Sequence, residues 1–315
     1  MNIIHSENKQ LSPDMTEAIT DLPHLGLLRI AGAGAKQLLQ GQVTCNLDEI
    51  SATQSSLGMH CNPQGRILSL FRIFYYHDDY YLQMPIDILE STTLGLQKYS
   101  PFYKVELTNA STHLAKLSCY GSNTLGILKK KFQTLPEKNN SALLHNDLLI
   151  IKLPGLLPHF EIIGPAKSIT DLQQHASGDS NTWKQININA GIPSIYASTI
   201  GKLLPHEINL QHLDAISFNK GCYTGQEIIA RMHYRGQLKK HMYKASVQMK
   251  TCPEVGADIY NETGAAGMIV DSCEESPGNF HLLILASQAD ANHQKIFLTP
   301  EMNQPLKILE LPYAL

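Results

Sequence analysis

The stretch Ser217–Gly236 (SFNKGCYTGQEIIARMHYRG) concentrates residues whose types and spacing suit chemistry. Thr224-Gly225-Gln226-Glu227 has the S/T-x-x-E form of a capping box, with apolar residues following at Ile228, Ile229 and Met232. This pattern predicts a helix that starts at Thr224, with Glu227 reaching back to the Thr224 backbone N–H. Contact with a ligand is the other use for Glu227. Cys222 then stands two residues before the helix start, where backbone N–H groups and the positive end of the helix dipole favour an anion. Lys220 adds a positive charge nearby, and Gly221 keeps the backbone approachable. Such surroundings favour the thiolate, the reactive form of cysteine. A buried, inert Cys222 is the alternative.

The same stretch is basic. Lys220, Arg231, Arg235, Lys239, Lys240 and Lys244 face only Glu227, with Tyr223, Tyr234 and Tyr243 between them. An anion site for a carboxylate tail, a phosphate or RNA would use this combination. A solvated face with core-packed tyrosines would also produce it. The chain as a whole is no polycation: its net charge is −3, so any nucleic-acid contact must be local.

The elements that must position these residues read as α+β. The 315 residues are 43% hydrophobic and 17% charged, which fits two or three folded domains. Leu25–Ile30 reads as a strand and Ala35–Gln40 as a helix closed by Gly41. AGAGAK between them lacks the third glycine of a dinucleotide loop and any Gly-Lys-Ser/Thr, so it reads as a tight turn. Ser56–Cys61 and Arg66–Tyr76 flank the turn Asn62-Pro63-Gln64-Gly65, and a second turn falls at His77–Asp79. Ile86–Tyr99 and Asn123–Phe132 have helical spacing, whereas Val105–Leu107, Leu114–Cys119, Leu148–Leu153 and Phe160–Gly164 read as strands. From about His241 the texture becomes short strands, among them Lys295–Leu298, with little helical periodicity. A small C-terminal β-barrel or sandwich is the expectation there.

Six cysteines at 45, 61, 119, 222, 252 and 273 form no Cys-x-x-Cys pair, and fourteen histidines include no HExxH. Reduced thiols and no metal centre are expected. The opening MNIIHSENKQ has neither an apolar core nor a basic leader, and Leu148–Leu157 is broken by Lys152 and Pro154. The expectation is a cytoplasmic protein without a membrane span.

KGCYTGQE (Lys220–Glu227) resembles the signature of the YgfZ-type folate-binding proteins, bacterial relatives of the glycine-cleavage T-protein, an aminomethyltransferase. LQGQVT (Leu39–Thr44), HCNPQGR (His60–Arg66), FRIF (Phe71–Phe74), NAGIP (Asn189–Pro193), LLPHEINLQ (Leu203–Gln211) and LPYAL (Leu311–Leu315) resemble further landmarks in the family's order. Residues 120–180 carry none. The resemblance implies an aminomethyltransferase-like fold of three domains around a central opening, ending in a β-barrel. The expected division is 1–110 and 111–240 for two α+β parts, the second carrying KGCYTGQE, and 241–315 for the barrel. It also implies tetrahydrofolate, or a folate derivative, as cofactor. Cys222 is then the functional thiol with Lys220 beside it, and the expected folate contacts are Trp183, Asn189, Tyr223, Gln226, Glu227 and Arg231.

This chain departs from the T-protein pattern. After the Asn62–Gly65 turn, where a T-protein carries an aspartate pair, it reads Arg66, Ile67, Leu68, Ser69, Leu70. No carboxylate is present to handle a proton there. Asn189 stands where family members often carry a glutamate, and Leu25 where a second folate-contact tryptophan is expected. The leading functional expectation is a folate-binding accessory factor for assembly or repair of iron–sulfur enzymes. One client would be a radical enzyme that thiomethylates tRNA; an indirect contact with tRNA is the leading expectation, and a direct one is the alternative. The alternatives are a folate-dependent aminomethyltransferase and a non-enzymatic tRNA or protein adaptor.

Overall fold

The computed structural model describes residues 17–314. The readings of the opening ten residues and of Leu315 lie outside these. The chain runs β1 (Glu17–Asp21), β2 (Leu25–Ala31), α1 (Ala35–Gln42), β3 (Ser56–Cys61), β4 (Ile67–Tyr76) and β5 (Asp79–Pro85). A 3-10 turn at Ile86–Ile88 leads into α2 (Leu89–Gln97), α3 (Ser100–Tyr103), β6 (Glu106–Asn109), β7 (Ala115–Gly121) and α4 (Ser122–Phe132). Then come β8 (Ala142–His145), β9 (Leu148–Leu153), β10 (His159–Gly164), α5 (Ala166–Gln173) and α6 (Ser180–Asn189). A largely irregular stretch precedes α7 (Gln226–Arg235), β11 (Lys240–Gln248), β12 (Asp258–Asn261), β13 (Gly264–Ser276), β14 (Asn279–Ser287), α8 (Gln288–His293) and β15 (Lys307–Leu309).

The strands form three five-stranded sheets: β3-β4-β5-β2-β6, β1-β7-β10-β9-β8 and β12-β13-β14-β11-β15. Every paired ladder is antiparallel. The β4–β5 turn places His77 and Asp78 at φ 45° and 65°, a conformation that suits a two-residue hairpin and that Asp and His tolerate better than most residues. No helix among the described residues is long and apolar enough to cross a membrane.

The first two sheets pack face to face. Alternation along β9 and β10 sends Ile150, Phe160 and Ile162 toward Leu128 and Phe132 of α4 and Ile169 and Leu172 of α5. The opposite face, with Leu149, Ile151, Leu153 and Ile163, meets Leu27, Phe74, Tyr76 and Tyr81 of the first sheet. Because β4 is buried on both faces, its sequence is a nearly unbroken apolar run. The largest core joins the other face of the first sheet to α1, the segment 188–229 and part of the third sheet.

Three local expectations need correction. Helix α1 continues past Gly41 to Gln42. Lys295–Leu298 is no strand: Phe297 makes isolated bridges to Tyr260 and Pro305. The C-terminal region also contains α8, whose cap is legible in Ser287–Asp290, because Ser287 Oγ accepts the Asp290 N–H at 3.1 Å. The third sheet is open in its ladder order, with β12 and β15 as edges.

Candidate functional site

The signature segment is held by two other landmark segments. Lys220 Nζ donates to the carbonyls of Val43 and Cys45, each at 2.7 Å, and lies 5.2 Å from the Tyr223 ring centre. Burial lowers its pKa to about 8, against the opposing pull of Cys45 and Asp48. The Thr224 N–H donates to the Gly41 carbonyl at 3.2 Å, and Thr224 Oγ1 donates to Gln42 Oε1. Gly225 has φ +86°, and a Cβ there would stand 2.6 Å from the Asn62 carbonyl oxygen and 3.2 Å from Gly65 Cα. Only glycine lets the backbone approach the 62–65 turn this closely.

These contacts overturn the expected capping box. Helix α7 starts at Gln226, its N-cap is Gly225, and no side chain caps it. Thr224 is drawn to α1, so Glu227 has no cap partner there. Glu227 instead accepts from Arg231 at 2.9 Å, and both side chains are exposed. Lys220 is likewise committed to carbonyls on the far side of the segment.

Between these anchors Cys222 is exposed. Burial pushes the thiols of Cys45, Cys61 and Cys273 up to about 12, and that of buried Cys119 still higher, so all four stay protonated. Cys252, the other exposed cysteine, lies against Ser272 Oγ at 3.4 Å. Tyr223 is buried beside Cys61, and Gln226 is half-buried in the first turn of α7.

A second constellation sits where the first two sheets meet α6. Arg72 and Gln83 are cross-strand partners on β4 and β5, and Glu161 points at them from β10. Trp183 of α6 donates its indole N–H to Glu161 Oε1 at 3.3 Å. Arg72 Nη1 donates to Ser55 Oγ and to Asn140 Oδ1, at 3.2 and 2.9 Å. Burial pushes the Glu161 carboxyl up, opposed by Arg72, by the Trp183 hydrogen bond and by the Gln83 amide, and pushes the Arg72 guanidinium down. Glu161 Oε2 and Gln83 Nε2 are buried with no hydrogen-bond partner within 3.5 Å, although Gln83 stands near enough to Glu161 to favour its charged form. Such groups cost about 1–3 kcal/mol each, more for a charged one. They border a cavity of about 60 Å³ whose walls include Leu25, Leu57, Leu70, Phe71, Trp183 and Asn187.

The predicted residues divide between these places. Trp183 lines the cavity, and Leu25 packs beside it with Leu22. Asn187 rather than Asn189 shares its side of α6, donating to the Trp183 carbonyl at 2.9 Å. Four residues is close to one helical turn and six is not. Asn189 Oδ1 accepts from Lys244 Nζ of β11 at 2.6 Å. Lys220, Cys222, Tyr223, Gln226, Glu227 and Arg231 do not line the cavity. Sequence reasoning missed Arg72, Gln83 and Glu161. The signal was there: a charge in the apolar runs FRIF and HFEIIG. Among the described residues, no group of three or more His, Cys, Asp or Glu side chains could hold a metal ion.

No protein-family model matches the chain. Its fold resembles the crystal structure of the glycine cleavage system aminomethyltransferase T from Bartonella henselae. The TM-score is 0.74 at 15% identity, covering 95% of this chain and 87% of that one. At that identity the likeness shows the fold alone. The tRNA-modifying protein YgfZ of Sodalis glossinidius is 28% identical over 309 residues, covering 94% of this chain and 93% of the relative. The protein of the same name from Hamiltonella defensa is 33% identical over 237 residues, covering 73% of this chain and 70% of the relative. Through that identity and coverage, on an aminomethyltransferase fold, the chain belongs to the YgfZ family.

Proposed function

We propose that the protein binds tetrahydrofolate or a folate derivative and serves the assembly or repair of iron–sulfur enzymes, thereby supporting tRNA thiomethylation. One observation carries the folate part: an indole, a buried carboxylate and a buried amide, the last two adjacent but with no hydrogen bond within 3.5 Å on Oε2 and Nε2, border one cavity. A pterin edge presents N–H donors to a carboxylate and a carbonyl acceptor to an amide. Its faces suit Trp183 and the aliphatic walls. The donor set therefore fits the ring. The cavity, about 60 Å³, is well below the ~300 Å³ of ordinary ligand pockets, so uptake requires its walls to part. Glu161, Gln83, Trp183 and Asn187 would hold the ring, and reduced folate would supply a carrier for a one-carbon unit.

Cys222 is assigned as the functional thiol. It is exposed on a segment anchored at Lys220 and at Thr224–Gly225, so its position is fixed while its sulfur is accessible. A fixed nucleophile loses little freedom when a partner docks. The name of the relatives, tRNA-modifying protein, supports the process proposed. The aminomethyltransferase alternative draws on the fold. It is opposed by the absence of a carboxylate at Arg66–Leu70, where Leu70 lines the cavity. Among the described residues that line the cavity Glu161 is the one carboxylate, and it is engaged by Trp183.

Tetrahydrofolate titration followed by Trp183 fluorescence tests the folate site, since the chain has a single tryptophan. Quenching that saturates is the expected result, and a flat response would overturn the site. Cys222→Ala should fail to restore a radical iron–sulfur enzyme in a deletion strain. Full rescue would remove the thiol from the mechanism.

A further inference from the structure

We propose that the outer face of α7, with the loop that follows it, docks unpaired nucleotides of RNA. Phosphates would lie on Arg231, Arg235 and Lys239, and a base on Tyr234 and His233. The proposal rests on the reading that the protein serves tRNA modification, and it assigns an RNA contact to this chain itself.

The helix is two-sided. Ile229 is 1% exposed in the core, and Ile228 packs on Gly65. Arg231, His233, Tyr234 and Arg235 are all exposed, with Tyr234 at 69%. Residues 231–240 (RMHYRGQLKK) carry two arginines, two lysines and no acid, in a chain whose net charge is −3. Glu227 takes Arg231, whereas Arg235 and Lys239 make no ion pair among the described residues. Exposed cations concentrated this way attract a polyanion.

The rings make the anion a nucleic acid. His233 lies flat on Phe218, with centres 3.8 Å apart and planes at 19°. Tyr234 meets His233 edge-on at 4.8 Å, and buried His206 stands 6.0 Å from His233. His233 is thus backed from inside and exposed outside, a platform on which a base can stack. Bases in a duplex already stack on one another, so the platform favours single strands. Helix α7 has ten residues, about 15 Å, and joins this surface to the segment that presents Cys222.

Fluorescence anisotropy with a short unstructured oligoribonucleotide, and with an unmodified tRNA transcript, tests the proposal. The expected plot of log affinity against log salt has a slope of about −2, from three contacts at about −0.7 each. Arg235→Ala with Lys239→Ala should cut that slope to about −0.7. Tyr234→Ala should weaken binding about tenfold with the slope unchanged, and Tyr234→Phe should bind as the parent does. Circular dichroism and unchanged Tm verify that each variant is folded.

Absence of binding at about 50 mM salt would overturn the proposal, as would equal affinity for a duplex of the same sequence. Equal competition by polyglutamate, insensitive to Tyr234→Ala, would overturn it in favour of an acidic protein partner. A tetrahydrofolate titration on the same samples separates the two readings. RNA binding with no Trp183 response supports this surface and fails the folate site; the reverse result fails this surface alone.

Discussion

The signature segment and the inter-sheet cavity solve opposite problems. The segment exposes the Cys222 side chain and satisfies nearly everything around it: Lys220 has two carbonyls, Thr224 has Gly41 and Gln42, and Gly225 has its turn. The cavity does the reverse. It buries a carboxylate, a guanidinium and an amide, and leaves two of their polar atoms unpaired. A satisfied frame around an exposed group suits presentation to a macromolecule. Unsatisfied groups around a small void suit capture of a small molecule, because the ligand supplies the missing partners.

The difference predicts where each region is fragile. Gly225→Val should have the largest effect. It forces a side chain into φ +86° and into the Asn62 carbonyl, costing about 3 kcal/mol or more. Gly221→Ala, four residues earlier with nothing within 4 Å, should change stability by less than about 0.5 kcal/mol. Urea denaturation of both measures how sharply rigidity is confined to the anchors. Similar losses in the two would break the picture of a clamped segment with an open tip.

Two buried groups, His60 on β3 and Glu161 of the cavity, should respond to pH with opposite sign. Burial, and then Lys98, lower the His60 pKa from 6.5 to about 4. The unfolded chain takes up this proton near pH 6.5, and the native chain only near pH 4. His60 therefore costs stability as pH falls through that window, by up to about 3 kcal/mol at 1.36 kcal/mol per unit. His60→Gln should remove that part of the acid slope in urea unfolding at successive pH values. Glu161 is raised by burial, so its contribution is present at low pH and lost as pH rises through its native pKa. Glu161→Gln should make the curve flatter on that side, and a steeper curve would contradict its assigned environment.

Lys220→Met leaves the Val43 and Cys45 carbonyls without their donor and should cost about 1–3 kcal/mol. A value near zero in the same denaturation assay would mean that water replaces the ammonium. Glu161→Gln should weaken tetrahydrofolate about tenfold, or about 1.4 kcal/mol, by Trp183 fluorescence. Unchanged affinity would place the ring elsewhere. The smallest structural effect belongs to Cys222→Ser. Its exposed position predicts a change under about 0.5 kcal/mol, together with loss of complementation. A large loss of stability would show the thiol to be a packing group.

How legible each region was follows from its contiguity. KGCYTGQE is continuous, so Cys222 could be singled out from one segment, whereas its exposure is decided only by the fold. Even there the capping box misled. Thr224 is capable of capping, but contacts to Gly41 and Gln42 claim it first and leave the N-cap to Gly225. The cavity is built from residues 72, 83, 161, 183 and 187, which no local pattern links. Arg72 and Gln83 meet through the β4–β5 register, and Glu161 joins them because its strand alternates toward the first sheet. The Asn189 expectation failed to reach the cavity through helix phase alone, since Asn187 holds the position one turn from Trp183.

By itself the sequence determined the α+β order of elements, the two hairpin turns, the order of the family's landmarks and the cysteine to watch. Those features rest on local periodicity, on turn residues and on motifs contiguous in the chain. Tertiary structure alone decided that two other landmarks clamp the segment bearing that cysteine. It also decided that a buried carboxylate faces the single tryptophan, and that the helix after the signature turns its cations and rings to solvent. Those outcomes depend on strand register, sheet packing and helix phase, which bring together residues far apart in sequence and which no single segment encodes.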